Sequence, residues 1–431
     1  MSKNYKPIIG LEIHIEPNTV TKMFCGCPQD HFGKRPNTQT CPICLGLPGA
    51  LPFANREAIN KTVKLGLALG SKINEFSRFY RKHYFYPDLP KSFQTSQKGE
   101  VLCVGGELLG KKIDHIHLEE DAGKLLHMDG ESLIDFNRSG CALIELVTEP
   151  VFHSSEEVLE FTKELQLIAR YIDISNADME KGTMRLEANI SMLNAKNANA
   201  KLPSYKVELK NINSFRFLEK AINAEIKRQE DELSQGNKIK QETRGYDEVK
   251  GTTYSQRSKE DSQDYRYFPE ADLAPIRLEK IKIQMLNAKL PELPQQKRER
   301  FEKEYKLSKE FIEVLVSNKA RGDYFEECAK MNDNYKTIAD LIVNKKFDEK
   351  YPEPAGLIKK LVEITNVEFS PTPEVEQAVS EVLKDQVKAV NDYRAGNGNV
   401  VGFLIGMTQK KLQGKANPKT VQEILLKELQ K

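Results

Sequence analysis

The sequence predicts an α+β fold whose sheet is antiparallel, followed by helical segments. Up to about residue 290, short β-rich runs are interleaved with occasional helices, without the regular strand–helix alternation of a parallel sheet. After that point the composition shifts to Lys, Glu and Leu with helical periodicity. A chain of 431 residues is long enough for two or three domains with a substantial core.

Four segments predict strands of this sheet. They are IGLEIHIE (9–16), KKIDHIHLEED (111–121), CALIELVT (141–148) and KVELKNI (206–212). In the first segment, apolar residues at 11, 13 and 15 alternate with Glu12, His14 and Glu16. One face of that strand is therefore apolar, and the other carries two carboxylates and an imidazole.

Capping residues mark the predicted helices. Asn55 is a predicted N-cap of a helix that stops at Gly70, and Ser154 with Glu157 forms a predicted capping box before a second helix. The last helix begins at Asn417 with Pro418 in its first position. Proline-containing breaks at 350–356 and 369–377 separate the helical units, so we predict domains at 1–290, 291–368 and 369–431.

Composition excludes several classes of protein. The chain is 39% hydrophobic and 30% charged, which is typical of a globular protein and not of a disordered or fibrous one. Its net charge of +2 excludes a strong overall attraction to nucleic acid. A local excess of Lys in residues 400–431 predicts a small basic helical tail. We expect a cytoplasmic protein without a membrane partner, because there is no long apolar run and no signal-peptide core.

Four of the seven cysteines lie within twenty residues. Cys25 and Cys27 form a C-x-C pair, and Cys41 and Cys44 form a C-x-x-C pair beyond a polar loop. Two close pairs of this kind predict a four-thiolate zinc site with a structural role. The alternative is four unligated thiols in a reducing compartment.

Carboxylates on apolar strands predict a second metal site. Glu145 lies in the middle of an apolar run, where an ionised carboxylate needs a cation as partner. In HIHLEED, strand alternation places His115, His117 and Glu119 on one edge. It leaves Glu120 on the apolar side, unless Glu120 lies past the strand end and is solvated. An oxygen-rich site with one imidazole suits Mg²⁺ or Mn²⁺ in phosphoryl transfer. The sequence contains no Walker loop and no recognisable amide-hydrolysing nucleophile.

Basic and aromatic residues are interleaved in two stretches. Residues 78–97 include Lys82 and Lys91, and residues 256–273 include Arg257, Lys259 and Arg266. Such stretches suit contacts with RNA or phosphate, although they are more often a solvated basic rim over buried rings.

Several motifs in one order resemble a single family. They are IGLEIHIE, YRKHYFYPDLPKSFQTSQ, HLEEDAGK, CALIELVTEP, KVELKNINSF, QETRGYD and SKEDSQDYRYFPEADL, together with residues 400–429 of the tail. They resemble the B subunit of the aspartyl/glutamyl-tRNA amidotransferase. The resemblance implies a glutamine-synthetase-like catalytic cradle over 1–290, and this range contains the zinc knuckle at 25–44 that the cysteine spacing predicts. It further implies a helical domain, here shorter than usual, and a tail domain that contacts tRNA.

The resemblance also implies residue roles. Glu12, His14, Glu120 and Glu145 would surround the magnesium of a kinase site, and Lys82 and Lys91 would lie along an ammonia route. Independently of the resemblance, the basic stretch offers Arg257, Lys259 and Arg266 as candidate ATP or phosphate contacts.

The implied reaction is phosphorylation by ATP, with Mg²⁺, of the side-chain carboxylate of mischarged Glu-tRNA(Gln) or Asp-tRNA(Asn), followed by amidation with ammonia. The implied partners are an amidase A subunit, which supplies the ammonia, and a small C subunit, while Zn²⁺ would have only a structural role. Two other functions compete with this one. A non-catalytic zinc-dependent RNA-binding module would explain the cysteines and the basic stretches, and a stand-alone metal-dependent phosphohydrolase would explain the carboxylates.

Overall fold

The computed structural model describes residues 5–128, 130–194, 202–258, 264–365, 370–394, 396–412 and 415–430. Its strands are β1 (Tyr5–Ile15), β2 (Lys72–Ile73), β3 (Phe76–Ser77), β4 (Tyr80–His83), β5 (Phe93–Ser96), β6 (Cys103–Val104), β7 (Glu107–Leu108), β8 (Lys111–Glu120), β9 (Lys124–Met128), β10 (Glu131–Asp135), β11 (Ala142–Thr148), β12 (Met184–Asn194), β13 (Val207–Ile212), β14 (Glu242–Asp247), β15 (Thr252–Ser258), β16 (Phe268–Pro269) and β17 (Ile276–Arg277). Its helices are α1 (Arg56–Ala68), α2 (Ser155–Tyr171), α3 (Phe215–Ser234), α4 (Lys280–Ala288), α5 (Pro294–Tyr305), α6 (Lys309–Val316), α7 (Lys319–Met331), α8 (Tyr335–Val343), α9 (Phe347–Lys350), α10 (Pro354–Thr365), α11 (Thr372–Asp385), α12 (Val387–Arg394), α13 (Val400–Lys411) and α14 (Pro418–Leu429).

A large mixed sheet forms the first part of the chain. Its strand order is β15-β14-β13-β12-β1-β11-β8-β6-β2, with β7 added to β8. The pairing is antiparallel except between β13 and β14, which run parallel. The predicted α+β class is confirmed, and the four predicted strands correspond to β1, β8, β11 and β13.

The two faces of this sheet have opposite character. On one face, apolar residues of the central strands, such as Ile13, Ile116 and Ile144, are fully buried in a core that α1, α2 and α3 complete. The opposite face carries His14, Glu145 and their neighbours. Side chains alternate along a strand, so one apolar set is buried while a polar set from the same strands faces away from the core.

The predicted caps are present, with one difference in detail. Asn55 accepts hydrogen bonds from the N–H groups of Glu57 and Ala58, at 2.9 and 3.1 Å, and Ser154 accepts one from Glu157 at 3.2 Å. The Glu157 carboxylate does not complete a reciprocal box. It accepts from the N–H of His153, one residue before the cap, at 2.8 Å.

The chain divides into two compact units. They are Met1–Glu304 with Val316–Lys319, and Tyr305–Leu315 with Ala320–Lys431. Within the second unit, α11 to α14 pack around a core that includes Val379, Leu404 and Leu425. The three predicted domain ranges, with boundaries after residues 290 and 368, remain predictions.

Asn55 gives a test of how the first unit is held together. Its side chain caps α1 and also donates to the carbonyl of Thr21 at 2.9 Å, at the approach to the cysteine loop. Asn55→Ala should lower the free energy of unfolding by about 1–2 kcal/mol, measured by urea denaturation. Asn55→Ser, which keeps a cap acceptor but loses the donor, should recover part of this loss. Equal stability of Asn55→Ala and the unmodified chain would contradict the assignment of Asn55 as a structural cap.

Candidate active site and cysteine knuckle

Four strands contribute one residue each to a charged row across the polar face. His117 on β8 lies opposite Glu145 on β11, Glu145 lies opposite His14 on β1, and His14 lies opposite Arg185 on β12. The Glu145 Oε2 atom is 3.4 Å from His14 Nε2 and 3.3 Å from His117 Nε2. Glu145 therefore stands between two imidazoles, and the paired register of the strands keeps it there.

Glu119 completes this cluster from the next polar position of β8. Its carboxylate oxygens lie 3.9 Å from His14 Nε2 and 3.7 Å from His117 Nε2. Glu119 is itself buried. The predicted alternation of His115, His117 and Glu119 on one edge of the strand agrees with this arrangement.

The charges in the cluster stabilise one another. Burial alone would lower the pKa of His14, but Glu145 and the other carboxylates raise it to about 9. The pKa of His117 is raised to about 10, because Glu145 and Glu119 outweigh its burial. Burial would raise the pKa of Glu145, yet the two imidazoles hold it well below its usual range. The row thus consists of ions of opposite charge that lie side by side, and Glu119 and Asp121 offset its excess of positive charge.

The same atoms fit a divalent cation. One ligand atom each from His14, Glu119 and Glu145 lie within 4.8 Å of one another. The buried Nδ1 atoms of His14 and His117 have no hydrogen-bond partner in the described part of the chain, so the contacts that favour the protonated rings are made on the Nε2 side. Two carboxylates and one imidazole are ligands that Mg²⁺ or Mn²⁺ accepts.

Glu12 belongs to a neighbouring carboxylate group. It lies about 7 Å along β1 from His14 by strand geometry, and its carboxylate groups with those of Glu187 and Glu208. Lys210 Nζ is 3.0 Å from Glu187 and 3.6 Å from Glu208. Glu12 is therefore on the predicted face, but not in the same cluster as His14 and Glu145.

Glu120 is not brought together with His14 and Glu145. Its side chain accepts a hydrogen bond from the Thr95 N–H at 2.8 Å and forms an ion pair with Lys91. Glu120 is 2% exposed, so the alternative in which it is solvated past the strand end is excluded. Because successive side chains of a strand point to opposite faces, Glu119 takes the position beside His14 that was expected for Glu120.

The two lysines of the predicted ammonia route line different cavities. Lys82 lines a cavity of about 470 Å³ together with Glu119, Glu145, His117 and Tyr267. Its pKa is raised, because Glu119 and other nearby groups outweigh its burial.

Lys91 lines a second cavity, of about 250 Å³, together with Phe93, Thr95 and Glu120. Its ammonium also lies over the Phe24 and Phe93 rings, at 5.6 and 5.0 Å from their centroids. The strand pair β4–β5 supplies residues to both cavities.

The three predicted phosphate contacts are only partly described. Lys259 and the side chain of Arg257 lie outside the described residues. Arg266 is exposed, and its carbonyl oxygen lies 3.1 Å from His83 Nδ1. Their roles remain predictions.

The four clustered cysteines converge on one point. Their sulfur atoms all lie within 4.8 Å of one another, and Cys41 Sγ is 3.8 Å from Cys44 Sγ. Four thiolates placed about 2.3 Å from one zinc would lie about 3.8 Å apart, so the arrangement fits zinc. Hydrogen bonding from Cys25 and Cys41, together with the charge of Lys22, lowers the pKa of Cys44 to about 5 despite burial. Cys103, Cys141 and Cys328 are buried elsewhere.

Residue types alone did not single out three members of the site. They are His117, Glu119 and Arg185, which lie in or beside the charged row. Arg185 Nη1 is 2.7 Å from Asp121 Oδ2, and this ion pair fixes the end of the row on β12. Strand alternation in the sequence is the signal that identifies His117 and Glu119. Arg185 can be placed in the row only once the pairing of β1 with β12 is known.

No helix among the described residues is long and apolar enough to cross a membrane.

Comparison with known proteins assigns the chain to a family. A family profile described as the GatB/GatE catalytic domain matches residues 7–284, and one described as the GatB domain matches residues 316–429. The chain is 41% identical over 479 residues to an aspartyl/glutamyl-tRNA(Asn/Gln) amidotransferase B subunit of Clostridium acetobutylicum, covering 99% of each chain. It is 40% identical to the corresponding B subunit of Persephonella marina, covering 98% of each chain. It is also 40% identical to that of Thermodesulfovibrio yellowstonii, covering 98% of this chain and 99% of that one.

These alignments are longer than the 431 residues of this chain, so the relatives carry segments that it lacks. The matches nevertheless span both units, and the catalytic-domain profile includes every residue of the charged row and all four clustered cysteines. The chain belongs to the family of aspartyl/glutamyl-tRNA(Asn/Gln) amidotransferase B subunits.

Proposed function

We propose that this chain is the kinase and transamidase subunit of a tRNA-dependent amidotransferase. It would use ATP to phosphorylate the side-chain carboxylate of Glu attached to tRNA(Gln), of Asp attached to tRNA(Asn), or of both. Ammonia would then replace the phosphate to give the amide. The observation that carries this proposal is the cluster of His14, Glu119 and Glu145 beside the 470 Å³ cavity, in a chain of this family.

The chemistry requires both half-reactions. A free carboxylate is a poor acceptor for an amine, because its leaving group would be an oxide. In the first step a carboxylate oxygen attacks the γ-phosphorus of ATP, and the bond to ADP breaks. In the second step the nitrogen of ammonia attacks the acyl carbon, the bond from that carbon to the phosphate oxygen breaks with its electron pair leaving on phosphate, and the departing inorganic phosphate takes up the proton that the nitrogen loses.

The residues of the charged row have distinct roles in this proposal. His14, Glu119 and Glu145 would hold Mg²⁺, which neutralises phosphate charge and aligns the reacting groups when it is bound. His117 would keep Glu145 in place through its 3.3 Å contact. Glu12, with Glu187 and Glu208, would form the neighbouring acidic wall of the same face.

The two cavities support a path for ammonia. Lys91, held by Glu120, lines the smaller cavity, and Lys82 lines the larger one beside Glu119 and Glu145. Ammonia would be released from glutamine by an amidase A subunit, with a small C subunit completing the complex, because no amidase nucleophile is recognisable in this sequence. Arg257, Lys259 and Arg266 are proposed to contact phosphates of ATP or tRNA.

The first prediction concerns Glu145. Glu145→Gln keeps the shape of the side chain but removes the charge between His14 and His117, so it should lower tRNA-dependent ATP cleavage at least 100-fold. Phosphate release in the assembled complex with mischarged tRNA measures this loss. Glu149→Gln, an exposed change just beyond the end of the same strand, is the matched control and should retain activity. Full turnover by Glu145→Gln would refute the proposed kinase site.

A second prediction concerns zinc. Replacing both Cys41 and Cys44 by Ser should release one equivalent of zinc per chain and lower the melting temperature, because structural zinc contributes directly to folding. Cys328→Ser, a buried cysteine in the second unit, is the control and should retain the metal. Elemental analysis that finds no zinc in the unmodified protein would exclude the proposed site.

A third prediction separates the two half-reactions from the supply of ammonia. A complex whose amidase subunit is inactive should form no amide from glutamine, but millimolar ammonium should restore amide formation with ATP and mischarged tRNA. Acid-gel separation of the charged tRNAs, followed by amino-acid analysis, measures the product. A non-catalytic RNA-binding module would show no ATP cleavage, and a stand-alone phosphohydrolase would cleave ATP in the absence of tRNA. Failure of ammonium while tRNA still binds would contradict the assignment of both steps to this chain.

A further inference from the structure

Lys22 is a fully buried cation beside the cysteine knuckle. Its exposed fraction is 0%, and it is among the largest fully buried side chains of the described residues. No Asp or Glu side chain of the described residues lies within ion-pair distance of its ammonium. A buried charge of this kind ordinarily requires an anion close by.

The ammonium contacts carbonyl oxygens and one sulfur. Lys22 Nζ donates to the carbonyls of Ser139 and Gln39 at 2.8 and 2.9 Å, and it lies 3.4 Å from the carbonyl oxygen of Phe136. These carbonyls can satisfy its three N–H groups but carry no net charge. The remaining contact is Cys44 Sγ, at 3.8 Å.

The cysteine site, in contrast, would carry excess negative charge with zinc bound. Four thiolates around one Zn²⁺ carry a formal charge of two negative units, and Cys25 and Cys44 are buried. A buried anionic site needs positive charge or N–H donors around it. Lys22 supplies that charge, and the thiolates supply the anion that Lys22 lacks.

Lys22 also connects the knuckle with the strand that carries Glu145. The carbonyls of Phe136 and Ser139 belong to the turn that leads into β11, and the Met23 N–H donates to the carbonyl of Gly140 in the same turn at 2.9 Å. Gly140 has a φ of +79°, and a Cβ placed there would lie 3.2 Å from the Cβ of Cys44. The turn is therefore packed directly on the cysteine site.

We infer that Lys22 is the charge-balancing residue of the four-cysteine site and joins that site to the turn before β11. This inference rests on the zinc site of the proposed function, but it assigns a role to a residue outside the ligand set. It does not depend on ATP or tRNA chemistry. The ammonium acts through its positive charge, and its carbonyl contacts fix where that charge lies.

Zinc affinity of the full chain in its complex tests the inference, without ATP or tRNA. Lys22→Gln keeps hydrogen-bond donors for the carbonyls but removes the charge, and chelator competition should show zinc bound about 10- to 100-fold more weakly. Lys22→Arg restores the charge and should recover most of this loss. In cobalt-substituted protein, the thiolate-to-cobalt absorption bands should shift in Lys22→Gln and return towards those of the unmodified protein in Lys22→Arg.

Gln29→Met is the matched control. Gln29 is buried in the same loop and bonds to the N–H and carbonyl of Ala142 at 2.9 and 3.1 Å, so its loss should lower the melting temperature without changing zinc affinity. Equal zinc affinity in Lys22→Gln and Lys22→Arg would overturn the inference, as would an unmodified chain without zinc. If Lys22→Gln fails to fold, folding of Lys22→Arg supports the need for charge, and its failure overturns it.

Discussion

The register between β8, β11 and β1 is the constraint on which the candidate site depends. Antiparallel pairing sets His117 opposite Glu145 and Glu145 opposite His14. Because the strands are pleated, residues paired in this way have their side chains on the same face of the sheet. A slip of one residue in β11 would turn Glu145 into the core and expose Ile144 or Leu146. Both apolar residues are fully buried against the helices, so the hydrophobic face determines the position of the charged one. The packing of apolar residues that take no part in the proposed chemistry thus fixes the distances between the side chains of the charged row.

The charged row is stable because its ions are buried as a set. Glu145 favours protonated His14 and His117, and both imidazoles favour ionised Glu145. Removing one member would leave the others buried without a partner, which is more unfavourable than the net contribution of the intact pairs. A divalent cation held by His14 must displace the proton on its ligand nitrogen, so the carboxylates that raise the pKa of His14 also provide the negative charge that attracts the cation. Proton and cation therefore compete for the same position, and higher pH favours the cation.

Strand periodicity was enough to predict much of the site, because a polar face and an apolar face follow directly from a period of two. It identified the polar edge of β1 at Glu12 and His14, and it set His117 and Glu119 together. It could not show which strands are neighbours, since β12, β1, β11 and β8 are adjacent in the sheet but distant in sequence. Assignment by motif placed Glu120 at the metal, whereas the pleat turns it to Lys91 and leaves Glu119 beside His14. Helix caps such as Asn55 and Asn417 were predictable because they depend on a few adjacent residues.

The four-cysteine site lies outside the sheet but contacts the turn that leads into β11, so it bears on the same strand register. The Lys22 ammonium contacts two carbonyl oxygens of the turn at 136–140, and β11 begins just after this turn. On the other side of this junction, Glu120 holds Lys91 at the end of β8, the strand paired with β11. The knuckle, the turn and the Glu120–Lys91 pair therefore meet where β8 and β11, two of the four strands of the charged row, are joined. A structural metal bound by the four cysteines would restrain β11 at its first residue, Ala142, three positions before Glu145. Loss of such a metal would therefore act close to the register that the cluster requires.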